Sequence, residues 1–373
     1  MRIDRVFDIY SYIHKWQIDK NKGKVVPSIT SSLSQLKGNK RENEIRKKVV
    51  DKKVLREELK SSFWYFKIKE LSLHRCFFIS KSYIREKPFK QFSEDVRLAY
   101  KYFIPLINAK EELEKLGISK EFLKMLHITS GLNPENNDLP GYSLLIEIKF
   151  RLIKPYLSKD DDDFYIIDNP IVKDKVFKVP MIRASTWKGV LRFISKELIE
   201  WSNENEKRAI IKRIFGHEKG EGTHFRQGRL FFYPTFFDCI SLEVITPLSR
   251  ESKTPVRGPI YFEIVPEESK GKRTEGVFRL LYYPFDLVAK GCFNEFKINS
   301  NAQESEKTEV QKDLEFLAKA IHKMFYEVGF SAKKTSGFGT AEVIDVKVLC
   351  GDKLKEYESP IQKIFEKLKE SGS

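Results

Sequence analysis

The chain has 373 residues and a formal charge of +15, from 68 Lys and Arg against 53 Asp and Glu. Hydrophobic residues make up 41% and charged residues 32%, which excludes a disordered polymer and supplies enough apolar side chain for a sizeable core. The length exceeds one small domain and fits two, or one domain with a large insertion.

A positive surplus of this size favours a polyanionic partner, either nucleic acid or an anionic membrane surface. The bland alternative is lysine used as surface decoration. No run of about 18 apolar residues occurs, so nothing is expected to span a membrane. The opening MRIDRVFDIYSYIHKW lacks the apolar core of a secretory signal. Cys76, Cys239, Cys292 and Cys350 are scattered, with no CxxC pair or Cys/His cluster. Free thiols in a reducing compartment are expected rather than a structural zinc site, and the chain reads as cytoplasmic.

Residues 1–140 are predicted to be mainly helical. NEIRKKVVDKKVLREELKSSFWYFKIKEL and SEDVRLAYKYFIPLINAKEELEKLG space their apolar residues at three and four. From Lys40 to Lys60 nine Lys or Arg stand against five Asp or Glu, the pattern of a solvated helix face. The polar stretch SGLNPENNDLPG, Ser130 to Gly141, marks a boundary. SLLIEIKFRLI, 143–153, reads as a strand. Ser185 is placed to N-cap a helix running to about Trp201, and a second helix follows to Phe215. GRLFFYP, DCISLEVITPL, GPIYFEIVP and GVFRLLYYPFDL are strand candidates. Residues 308–328 form an amphipathic helix, and TAEVIDVKVL closes the region as a strand.

This order predicts an α+β fold, with a ferredoxin-like, RRM-type antiparallel core over 141–350 and an extra hairpin. A mainly helical region, 1–140, precedes it, and a tail, 351–373, is expected to hold one exposed helix. Aromatics are 13% of the chain. Most belong to the core, and any on an open sheet face would be able to stack on bases.

Three segments carry the chemistry. Ile166 to Phe193, IIDNPIVKDKVFKVPMIRASTWKGVLRF, is a loop, an extended piece and a helix start. Free N–H groups at a helix start attract phosphate, and Arg183, Ser185, Lys188 and Arg192 add charge and a hydroxyl there. Gly329 to Val343, GFSAKKTSGFGTAEV, joins a helix to a strand, so it is not a Walker A loop. Gly329, Gly337 and Gly339 permit positive φ. Lys333, Lys334, Thr335 and Ser336 supply donors, while an ordinary glycine-capped connection is the alternative. Phe215 to Pro234, FGHEKGEGTHFRQGRLFFYP, holds His217 and His224 at a spacing that matches no metal pattern. A mobile loop touching RNA or a neighbouring subunit is expected there.

In this order the three segments resemble the RAMP superfamily of CRISPR effector subunits. PMIRASTWKGVLRF is similar to the family's P-x-I-P-G-S-S-L-K-G-x-L-R signature. IFGHEKGEGTHFRQGRLFFYPTFFD is similar to its F-G … G-R-L-x-F-x-D block, and GFSAKKTSGFG to its C-terminal glycine-rich loop. The likeness covers about 141–350. Arg183 and Ala184 stand where Pro-Gly is usual, PYLSKDDDD replaces an H-I-G-S-G turn, and Ser336 stands where Arg is common.

The resemblance implies crRNA and target RNA as ligands and other subunits of a type III effector complex as partners. Backbone subunits of that kind cut guide-paired target RNA with an Asp in an I-D-x-P-V-I-x-D string. IDNPIVKD places Asp168 at that position. The implied reaction is attack by the RNA 2′-OH, dependent on Mg²⁺ or another divalent cation, with no organic cofactor. Read from the residues alone, Asp168-Asn169-Pro170 is equally an Asx turn, and Asp160 to Asp163 is a solvated carboxylate run. A non-catalytic capping or bridging subunit therefore stays open. So does a metal-independent repeat-RNA-processing endoribonuclease, for which only His14 and His322 offer acid–base candidates.

Overall fold

The structure, a computed structural model, describes residues 38–50, 139, 362–363, 365–366 and most of 142–351, the breaks being 161–166, 168, 176, 178, 200–203, 218–226, 247–248, 250, 253, 256–257, 259 and 288–299. Its described residues fall into two compact units. One draws on Met1–Ile107, Asp161–Asn169 and Ser241–Phe262, the other on Asn108–Asp160, Pro170–Ile240 and Glu263–Ser373.

In the first unit, helix α1 (Gly38–Val50) occupies part of the expected N-terminal helical region. The other helices expected there lie outside the described residues. The side-chain amide of Asn169 donates to the Tyr261 carbonyl at 3.2 Å in this unit.

The second unit opens with β1 (Leu144–Leu152) and β2 (Tyr156–Leu157). After β3 (Met181–Ile182) come α2 (Ala184–Ile199) and α3 (Glu204–Phe215). Two short strands, β4 (Leu230–Phe232) and β5 (Thr235–Phe236), follow. Strand β6 (Ser241–Ile245) belongs to the first unit and lies beside β7 (Ile260–Val265), whose last residues, Ile264 and Val265, pair with β2. A small hairpin, β8 (Glu268–Ser269) and β9 (Lys272–Arg273), leads into β10 (Glu275–Tyr282). The chain then forms α4 (Ser300–Lys323), a π-turn at Met324–Val328 and β11 (Ala341–Cys350).

The main sheet has the order β11-β1-β10-β4, and every pairing in it is antiparallel. β1 and β4 therefore run in the same direction with β10 between them, and a parallel doubly wound sheet is excluded. The architecture is α+β. Alternation sets the two faces of β1: Leu144, Ile146, Ile148, Phe150 and Leu152 are fully buried. Both helical layers lie on this face, because Phe150 meets Trp187 of α2 at 6.2 Å and Phe325 of the π-turn at 5.2 Å between ring centroids.

The aromatic core continues through Phe278, 4.8 Å from Trp187, and Phe330, 4.7 Å from Trp187. The Trp187 indole N–H donates to the Thr235 hydroxyl at 3.1 Å, and that hydroxyl donates to the Val277 carbonyl. The one polar atom of the largest buried ring is thereby satisfied.

The opposite face of the sheet carries Leu145, Glu147, Lys149 and Arg151 from β1. Directly across on β10 stand Leu281, Arg279, Val277 and Glu275. Glu147 and Arg279 form a buried ion pair at 2.8 Å, and Glu275 pairs with Lys149 at 2.8 Å and Arg151 at 3.0 Å. The lysine beside Glu275 holds its carboxyl below the usual carboxylate range, with Arg151 adding to the effect. The two central strands thus present no aromatic on this face. Phe231, opposite Leu281 on edge strand β4, does lie on it.

Helix α4 starts before the expected residue 308, because the polar stretch SNAQESEK offers no apolar period to mark it. In the tail, expected to be an exposed helix, the described Phe365 is buried and Gln362 donates to the Val346 carbonyl at 3.4 Å.

Gly276 lies opposite Phe150, and a Cβ there would fall 2.4 Å from the Phe150 ring and 2.9 Å from that of Phe237. Both rings are fully buried and in contact with other aromatic rings, which limits how far they can yield. Gly276→Ala should destabilise the protein by about 1–3 kcal/mol through overpacking, measured as a fall in the denaturant midpoint at unchanged m-value.

Candidate nucleic-acid interface

Helix α2 begins one residue before the expected cap. The Arg183 carbonyl accepts the N–H groups of Thr186 and Trp187 at 2.9 and 3.2 Å, so Arg183 is the capping residue and Ser185 lies exposed in the first turn. Trp187, Leu191, Ile194 and Ser195 face inward, all fully buried or nearly so. Ser185, Gly189 and Phe193 face outward at intervals of four. A Cβ on Gly189 would meet nothing within 4 Å, so packing does not require glycine at this point.

The basic residues divide by role. Arg183 reaches Asp160 at 3.2 Å. Asp160 is only 7% exposed, which corrects the expectation of a solvated carboxylate at this position, while 161–163 lie outside the described residues. Its backbone is also tied, its N–H donating to the Pro170 carbonyl at 2.9 Å. A buried carboxylate requires a partner, and Arg183 supplies one from 23 positions away. Arg192 donates to the Gly216 carbonyl at 3.3 Å, linking α2 to the end of α3. Lys188 is half-buried, and burial, with the charge of Arg192 next, holds its ammonium below the usual lysine range. A phosphate at this position would favour the charged ammonium and so oppose the shift.

The glycine-rich segment is a compact loop. Gly329, Gly337 and Gly339 all have positive φ, at 77°, 77° and 75°, as expected. Gly339 has a second constraint, since a Cβ there would lie 2.4 Å from that of Ser331. Lys333 also sits in the left-handed region, with φ 59°, an uncommon and mildly strained conformation for a side-chain-bearing residue. A 3₁₀ turn, Lys334–Ser336, follows. Lys333, Thr335 and Ser336 are exposed.

The stretch after β1 anchors this loop. The N–H groups of Gly339 and Ala332 both donate at 2.9 Å, to the carbonyls of Pro155 and Leu157 respectively. The Leu157 N–H donates to the Ser331 hydroxyl at 2.7 Å. Tyr156, between them, is buried against Phe330 and Phe237, which pushes its phenol up to about 12. Residues 155–160 therefore touch the glycine loop at one end and Arg183 at the other. The two basic segments meet directly where the Lys334 ammonium lies 4.8 Å from the ring centroid of Phe193. Phe193 is not among the residues that the sequence motifs single out. Its signal is an aromatic on the otherwise polar stripe of an amphipathic helix.

A family model described as "RAMPs: RAMP superfamily" matches residues 121–342. The chain belongs to the RAMP superfamily. A curated relative, CRISPR system Cms endoribonuclease Csm3 of Streptococcus thermophilus, is 27% identical over 130 residues, 33% of this chain and 55% of that protein. The chain thus spans about half the length of the curated relative that it matches. Among solved structures, a type III-B Cmr-beta complex bound to cognate target RNA aligns with a TM-score of 0.39 and 18% identity, over 71% of this chain and 75% of that one. A Csm3–Csm4 subcomplex of the type III-A interference complex aligns with a TM-score of 0.32 and 12% identity, over 62% and 97%.

Within the RAMP match, the F-G … G-R-L block is structural at both described ends. Gly216 and Gln227 bridge, and a Cβ on Gly228 would lie 2.3 Å from the Phe215 carbonyl carbon. Arg229 is 2% exposed and donates to Asp313 at 2.8 Å, Asp286 at 2.6 Å, Glu309 at 2.6 Å and the Tyr282 hydroxyl at 3.1 Å. Arg213 pairs with Asp313 from the other side at 2.6 Å. Burial pushes the Asp313 carboxyl up, and the two guanidinium groups pull it back only in part. The mobile RNA-touching loop expected across Phe215 to Pro234 has its described ends fixed by these contacts, and 218–226, with His224, lie outside the described residues. Asp168 lies outside them as well.

Arg229→Ala would strand Asp313 against a single arginine in the core. A destabilisation of about 3–5 kcal/mol is expected, read by thermal or denaturant unfolding. A value under about 1 kcal/mol would show that water enters the network and replaces the guanidinium.

Proposed function

We propose that this chain is a crRNA-binding subunit of a type III CRISPR effector complex, built on a ferredoxin-like core. The split of β1 and β4 by an antiparallel β10, with helical layers on one face, supports that core reading. Membership of the RAMP superfamily and the likeness to a protein named as a CRISPR endoribonuclease point to the class. The observation that carries the reading is the contact of Lys334 with Phe193, because it brings the signature helix and the glycine-rich loop into one basic surface. Its groups suit a ribose-phosphate chain. Lys333, Lys334 and Lys188 offer charge, Ser185, Thr335 and Ser336 offer hydroxyls, and glycines let a backbone approach closely. The partners of this reading are crRNA, target RNA and neighbouring effector subunits, and its setting is the cytoplasm.

In the same reading Asp168 is the cleaving carboxylate. What supports it is the string IDNPIVKD and the fixed backbone that follows. In the second unit the Glu263 carboxylate accepts the Ile171 N–H at 3.0 Å and the ammonium of the fully buried Lys173. The backbone after Pro170 is therefore held in place. A divalent cation, Mg²⁺ or similar, would stabilise charge developing on the scissile phosphate. Among the described residues no three Asp, Glu, His or Cys side chains converge. The protein's candidate ligands are Asp168 and the carboxylates of 161–163.

Two measurements test this. Replacing Lys333 and Lys334 by Ala should weaken single-stranded RNA binding. It should also flatten the slope of log K against log salt by about 0.7 for each phosphate that is no longer neutralised. An unchanged affinity and slope would remove the glycine loop from the interface. Asp168→Ala, assembled with its partner subunits, should bind RNA nearly as well and abolish the cuts assigned to this subunit, since a group used only in the transition state lowers rate and not affinity. If cutting continues at the same sites and rate, Asp168 is a turn residue and the chain is a non-catalytic capping or bridging subunit.

A further inference from the structure

We infer that Phe193 is a stacking platform for a nucleobase of the bound RNA, with Lys334 covering part of its ring and holding the neighbouring phosphate. The inference rests on the reading of this surface as an RNA interface and assigns the residue that grips a base within it. Phe193 is 49% exposed although it projects from the middle of a well-packed helix. An aromatic ring left half in water forgoes much of the burial free energy it could contribute to folding, and its core-facing neighbours Trp187, Leu191 and Ile194 pack the helix from the other side.

Its environment identifies the occupant. The Lys334 ammonium lies 4.8 Å from the ring centroid, where the negative face of the ring attracts a cation. An ammonium has three hydrogens to donate, so one bound against a ring still has donors for a phosphate. Lys188 and Arg192 lie five positions and one position before Phe193 on the same helix. They add the charge that a nucleic acid requires and that an apolar protein partner would have to bury at a cost. The outward residues ahead of Phe193, Ser185 and Gly189, are small, so no bulky side chain of that stripe stands between the helix start and the ring. The other exposed ring region differs. Phe231, Tyr283 and Phe285 lie against one another, with centroids 6.5 and 6.3 Å apart, as an aromatic group. Stacking on Phe193 would be tolerant of base identity, because every base has a π-face. This suits a subunit that must accept guides of any sequence.

The test uses the full chain and a single-stranded RNA carrying a fluorescent purine analogue. Binding to the unaltered protein should quench the analogue by stacking. Phe193→Leu should weaken binding at least about fivefold and abolish the quenching, while leaving the salt slope as it was. Phe193→Tyr should restore both. Lys334→Ala should instead flatten the salt slope. The inference is overturned if Phe193→Leu binds and quenches like the unaltered chain. If the Lys333 and Lys334 replacements still weaken RNA binding in that case, the RNA interface stands and only the stacking role falls. If they do not, both fall. Phe193→Leu that binds RNA normally but fails to assemble with partner subunits would make Phe193 a protein contact, and this also overturns the inference.

Discussion

The position of every candidate RNA-binding group depends on the burial of Trp187. Its ring touches Phe150 of β1, Phe278 of β10 and Phe330 at the start of the glycine loop. A helix, the two central strands and a loop are thereby joined through one side chain. The same indole is satisfied by Thr235, which is itself bonded to β10, so the cluster carries no unpaired polar atom that would favour opening. Because Phe330 sits in this cluster, the glycine loop cannot drift from α2. The approach of Lys334 to Phe193 is a surface consequence of packing one layer below. A large-to-small change at Trp187, which typically costs about 3–5 kcal/mol, would separate the basic segments as well as destabilise the core.

The family motifs mix two kinds of residue, and the structure sorts them. Gly228 and Arg229 answer to sterics and buried charge. Arg229 alone ties β10, the stretch after it and α4 through Tyr282, Asp286 and Asp313. Buried charge of this type contributes little net stability when complete and costs much when broken, so its value lies in fixing one register between helix and sheet. Ser185, Gly189 and Ser336 are exposed. They lie on the surface where the two basic segments meet.

Much of the architecture was legible because periodicity is local. β1 alternates cleanly, and β10, β11 and the apolar part of α4 declare themselves in the same way. The three positive-φ glycines of the C-terminal loop were legible from composition. The rest depends on partners far along the chain. Asp160 looked solvated because Arg183 is 23 positions away. The GRL block looked like a binding loop because Asp313, 84 positions from Arg229, is invisible to any window. Two-residue strands such as β3 and β5 have no period to detect. Phe193 was hidden differently: a lone aromatic among many reads as core until the helix face is drawn and the residue falls on its polar side.

The sheet itself narrows where RNA can be held. In an RRM-type arrangement the free face of the sheet is the obvious platform, and stacking there needs aromatics on the central strands. Here those positions hold Glu147, Lys149, Arg151, Glu275 and Arg279; Glu147 pairs with Arg279, and Glu275 is shared by Lys149 and Arg151. An Arg279 already bonded to Glu147 would have to abandon a buried partner to reach a phosphate, which costs more than an exposed lysine pays in turning from water to the same phosphate. The ion pairs thus make the sheet face a poor competitor for a polyanion. The glycine loop and the outward stripe of α2 have the opposite character, with exposed lysines, small residues and one aromatic. Both surfaces can coexist on one small domain because antiparallel alternation sends β1's apolar residues to the helices and its charged ones away from them. The same alternation that builds the core leaves the proposed RNA surface on the helix-and-loop side.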